Sequence, residues 1–88
     1  MNVEIWIKNT GEETARDISV FVRCRNQNGT ILFIDELDLT WELLGSNETC
    51  SATYNVGYNH NDTYIEHTIE LRFDQGMHSY LKKTELKL

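Results

Sequence analysis

The chain has 88 residues, 40% of them hydrophobic and 25% charged, enough for one modest core, too few for two, and well outside the composition of disorder. A formal charge of −6 with no broad Lys/Arg cluster excludes nucleic acid and anionic lipid as expected partners, because a basic footprint supplies most of that affinity. No apolar run approaches the roughly 20 residues of a bilayer-spanning helix and no signal-peptide pattern opens the chain, so direct membrane insertion is not expected.

In chain order, strict alternation of apolar and polar residues marks half-buried strands, whereas a helix would repeat its apolar residues every three or four positions. Val3, Ile5 and Ile7 share one face. Ile18, Val20, Val22 and Cys24 do the same over residues 17–25. Residues 31–34 are continuously apolar, after which Leu37, Leu39, Trp41 and Leu43 alternate with Asp38, Thr40 and Glu42, a strand followed by a crossing segment. Residues 48–56 set Cys50, Ala52, Tyr54 and Val56 against Thr49, Ser51, Thr53 and Asn55. Residues 64–73 carry the longest stripe, Ile65, His67, Ile69, Leu71 and Phe73, opposite Glu66, Thr68, Glu70 and Arg72. Tyr80 to Leu88 supplies the last strand.

Turn formers fall between the runs: Asn9-Thr10-Gly11, Asn28-Gly29, Gly45-Ser46-Asn47, Asn59 to Asp62 and Gln75-Gly76, with Asn-Gly the strongest hairpin signal. Short strands at this spacing, with no helical segment between them, predict an all-β antiparallel two-sheet sandwich of about six to seven strands. Residues 1–88 then form a single module without internal repeat or linker.

No motif for nucleophilic, phosphate-binding, dinucleotide or metalloprotease chemistry is present, so the chain is not expected to be an enzyme or to hold a cofactor. His60, Asp62, His67 and His78 have the residue types for zinc. Asn, Asp and His are ordinary turn formers at 59–62, and His67 on an inward face reads as a core histidine with a backbone partner, so no metal is expected. Asp35, Glu36 and Asp38 read as a solvated strand end, because successive strand residues point to opposite faces and cannot converge on calcium.

Asn28-Gly29-Thr30, Asn47-Glu48-Thr49 and Asn61-Asp62-Thr63 are glycosylation sequons, all in predicted turns; Asn and Thr belong in turns in any case, and the coincidence of three tilts the expected location outside the cell. Trp6 and Phe21 project from the polar faces of their strands. Exposed single aromatics are common. Trp6, Tyr58 and Tyr64 are nonetheless the candidate ligand contacts, since aromatic faces stack on sugars and small rings. Cys24 and Cys50 both lie on inward faces, and local pattern permits a disulfide contributing roughly 3 kcal/mol.

The stretches "VEIWIKNTGEETARDISVFVR", "NQNGTI" and "ELLGSNETCSATYNV" resemble the CARDB and FxLyD-like families over residues 3–74. The shared pattern is a strand ending in Lys-Asn-Thr-Gly, a short acidic turn with Ala, a second strand, a hairpin with Gly, and Leu-x-Gly-x-x-x-Thr leading into a further strand. The resemblance implies an immunoglobulin-like sandwich found as appended or repeated modules of prokaryotic cell-surface and exported proteins, with no catalytic residues to transfer. The chain lacks the families' strand ahead of "VEIWIK" and the Pro common near Gly45.

Several expectations follow from that topology. The domain is a piece of a larger polypeptide, monomeric when isolated, whose partners are neighbouring domains or another surface protein. Residues 3–8 pair on one side only, with residues 49–55. The strands carrying Cys24 and Cys50 belong to different sheets, leaving two buried free thiols. Residues 17–25 lie antiparallel to 64–73 with Val20 facing Ile69, Arg23 opposite Glu66, Phe21 opposite Thr68, Ser19 opposite Glu70 and Arg25 near Tyr64. A two-residue slip keeps the faces and carries Arg23 to Tyr64 or Thr68. The expected function is a non-enzymatic structural or adhesive module at the cell surface. The alternative is a carbohydrate or small-ligand binder.

Overall fold

The computed structural model describes residues 1–39, 43–74 and 78–88. The alternation through Thr40, Trp41 and Glu42 and the Gln75-Gly76 turn lie outside the described residues. The described chain is all-β: β1 (Asn2–Lys8), β2 (Ser19–Asn26), β3 (Ile31–Leu37), β4 (Thr49–Asn55), β5 (Tyr64–Phe73) and β6 (His78–Lys87). Each expected strand forms within three residues of its predicted ends.

The strands make two antiparallel sheets, β1-β4 and β3-β2-β5-β6. Their inner faces meet in a sandwich whose main core is Val20, Val22, Cys24, Tyr54, Val56 and Ile65. A second cluster, Ile18, Leu44 and Cys50, closes one end. The two-residue period carries this division directly. In β4 every inward residue, Cys50, Ala52 and Tyr54, is buried while its neighbours are not. In β1 the inward Val3, Ile5 and Ile7 are only half-buried.

β1 pairs with β4 from Asn2 opposite Asn55 to Lys8 opposite Thr49, the expected partner over the expected residues. The β2–β3 hairpin turns at Asn28-Gly29. Gly29 sits in the left-handed region with φ 79°, its N–H donates to the Asn26 carbonyl at 3.0 Å, and the Asn26 side chain accepts from the N–H groups of Asn28 and Thr30. A left-handed residue after a tight turn is how three-residue hairpins absorb an odd residue; a separate irregularity between Cys24 and Arg25 skips Leu32 in the ladder.

β2 lies beside β5 as expected, but in the register two residues away from the first choice. Val20 faces Leu71 instead of Ile69, Arg23 faces Thr68 instead of Glu66, Phe21 faces Glu70, Ser19 faces Arg72 and Arg25 faces Glu66. The connection between these strands runs through β3 and β4, so no tight turn sets the register. Side chains at its end set it instead. Asn26 donates from Nδ2 to Asp62 Oδ1 at 3.0 Å, Gln27 donates to the Asn61 carbonyl, and the Thr63 N–H donates to Gln27 Oε1, which fixes Asn26 opposite Ile65.

Candidate functional site

The two sheets are unequal. β4 lies against β3, so the two-stranded sheet cannot also reach β6 at the far edge of the four-stranded one. The inner face of β6 and the outer edge of β1 therefore border an open trough of about 840 Å³. Ile5 and Trp6 form one wall, Tyr80 and Leu86 the other, and Ile69 and Leu71 line the floor. Every residue of β6 is exposed, and Trp6 is 67% exposed. Lys8 and Lys82 flank the trough, in a chain whose net charge is negative.

Tyr54 and His67 also line the trough, and they belong to a buried polar cluster. His67 is 4% exposed, and its Nδ1 is 2.8 Å from the Tyr54 hydroxyl and 3.3 Å from Cys24 Sγ. The partner of this core histidine is thus a pair of side chains, where a backbone group had been expected. Tyr54 also stacks on Phe33, their ring centroids 5.3 Å apart. Burial holds His67 below its ordinary value, which disfavours the charged ring, and Nδ1 donates or accepts toward the Tyr54 hydroxyl according to its tautomer. Burial pushes the Cys24 thiol up to about 11, partly offset by the Tyr54 hydroxyl, and raises Tyr54 and Cys50 as well. These are protonated, inert groups, the opposite of an activated nucleophile. Both cysteines are free and buried, and they belong to separate core clusters in different sheets.

The remaining candidates are dispersed. Asn28, Asn47 and Asn61 are all exposed in loops, Asn47 with φ 65°. Trp6 borders the trough, but Tyr58 sits 49% exposed in the loop before β5 and Tyr64 is half-buried at the start of β5. No ring contact joins any two of them among the described residues. His60 is exposed. Asp62 is engaged with Asn26 and with the Asn59 N–H, and His78 stacks on Phe73 and lies 3.8 Å from Asp74. Among the described residues no group of three His, Cys, Asp or Glu could hold a metal ion. Asp35, Glu36 and Asp38 are exposed. No helix among them is long and apolar enough to cross a membrane.

Sequence reasoning missed the convergence of Cys24, Tyr54 and His67. The available signal was three inward polar-capable side chains, each needing a partner once buried. Compared with known protein families, curated proteins and solved structures, the chain matches none of them.

Proposed function

We propose that this chain is a non-enzymatic structural or adhesive module of a cell-surface or exported protein, making its contacts by accepting an extended strand along β1 and into the trough. The observation that supports this is the inequality of the sheets, which leaves a strand edge with unsatisfied backbone groups beside an apolar channel. Strand addition uses both features at once, main-chain hydrogen bonds for affinity and alternate side chains for specificity. Lys8 and Lys82 at its borders favour an occupant alternating apolar and acidic residues. The three exposed sequons and the resemblance to CARDB and FxLyD-like modules support the location.

A carbohydrate or small-ligand binder is the second reading, favoured by one observation: Trp6 and Tyr80, 67% and 60% exposed, border the same trough. One titration separates the two. An extended peptide of about eight residues, a usual strand length, alternating Val with Glu, is added to the dilute chain while amide exchange is followed. Strand addition predicts new protection at the outward amides of β1 and none in β4. Absence of protection, with soluble oligosaccharides quenching Trp6 fluorescence instead, would replace the first reading by the second.

A further inference from the structure

Among the described residues the four-stranded sheet ends in two edge strands, β3 and β6, and their net charges are opposite. β3 presents Asp35 and Glu36, with Asp38 just beyond it. β6 presents Lys82 and Lys83, and Lys87 near its end, against a single acid, Glu85. Three of the four lysines of the chain lie on this one strand. Among the described residues, Asp35, Glu36, Lys82 and Lys83 have no ion-pair partner within their own chain.

The ladders align these charges across the sheet. Asp35 faces Val22, Val22 faces Ile69, and Ile69 faces Lys82, so Asp35 and Lys82 end the same cross-strand row. Three antiparallel steps separate β3 from β6, so the two strands run in opposite directions. A second copy continuing the sheet would therefore bring its β3 antiparallel to β6 without reversal. We infer that copies of this chain associate head to tail, β6 of one pairing with β3 of the next.

In the register of the row, Lys82 comes directly opposite Asp35 of the next copy, and Lys83 lies diagonal to Glu36, both within reach of cross-strand contact. Tyr80 meets Leu37 and Leu86 meets Ile31 in the same alignment. Exposed apolar residues already mark both edges: Ile31 and Ile34 on β3, Tyr80, Leu81 and Leu86 on β6. The contact is heterologous, and strand twist of roughly 20–25° per step rotates each four-stranded copy by about 90°, giving an open run of copies. This rests on the reading that open sheet edges are the contact surfaces, but uses the edge of β6 in place of that of β1, although Tyr80, Lys82 and Leu86 also border the trough. It departs from the expected monomer by making the monomer the dilute limit.

The test is sedimentation of the full chain at low salt from about 10 µM to about 1 mM, the range in which a small edge contact is populated. The wild-type chain is expected to grow in mass with concentration and to dissociate as salt is added. Lys82→Glu/Lys83→Glu and Asp35→Lys/Glu36→Lys should each weaken association at least about tenfold, since attractive pairs become repulsive ones. An equimolar mixture of the two variants should restore it, because each supplies the edge the other now repels. Far-UV circular dichroism confirms that both variants fold. A wild-type chain that stays monomeric at the highest concentration, or variants that associate as well as wild type, would overturn the inference. Protection of β1 by the peptide in the dilute chain is read separately, so either proposal can fail alone.

Discussion

Tyr54 spends its hydroxyl on His67 Nδ1 at 2.8 Å in a core position 5% exposed. Removing that hydroxyl leaves a buried ring nitrogen with only a weak thiol beside it. Tyr54→Phe is expected to cost about 1–3 kcal/mol, visible as a lower urea midpoint with an unchanged slope. An unchanged midpoint would mean that Cys24 satisfies the ring alone. The same cluster sets a pH window. His67 titrates lower in the folded chain than in the unfolded one, so the unfolded chain binds the extra proton. Stability is full above the unfolded histidine value of about 6.5 and declines as pH falls below it. Cys24 is raised to about 11, so its contribution is full below the unfolded thiol value of about 8.5 and is lost as pH rises toward the folded one. Thermal midpoints should therefore plateau near neutrality and fall on both sides. In His67→Phe the fall between pH 6.5 and 5 should flatten, whatever its own stability.

At the scale of the strand, β1 hydrogen-bonds to β4 along one edge and to nothing described along the other. Amide exchange in the dilute chain is expected to alternate slow and fast along residues 3–8, following which N–H groups point toward β4. Uniform protection would require a second partner strand. This element was legible in advance because its apolar face and its flanking turns are both local facts. The faces of β4 and β5 were legible for the same reason, and they placed Tyr54 and His67 inward. The step of β2 along β5 was not. Period two is blind to a slip of two residues, and the bonds that decide it join Asn26 and Gln27 to Asp62, Asn61 and Thr63, two loops far apart in sequence. That slip moves Arg25 opposite Glu66. A double-mutant cycle on this pair should show coupling of about 0.2–1 kcal/mol that fades with salt, and a smaller one for Arg23 and Glu66. The polar cluster was hidden by the same limitation, since bringing Cys24 opposite His67 depends on that register.

For the whole molecule, the inequality of the sheets organises the surface. The face of β1 toward the core carries Val3, Ile5 and Ile7, which pack with Ile69 and Leu71 against the same core, while every residue of β6 is exposed. The trough and the charged outer edges were not visible in any one segment, because each arises from strands that meet only when the sheets assemble. The ladder between β1 and β4 has a consequence in time as well as in space. Its first strand ends at Lys8, and its partner ends only at Asn55. A ribosome adding roughly 5–20 residues each second leaves "VEIWIK" without that partner for roughly 2–10 s. The β2–β3 hairpin, closed by neighbours in sequence, can form meanwhile. Synthesis therefore separates this strand from its partner: its apolar face is made well before the residues that cover it, and in the interval it is a natural substrate for holding chaperones.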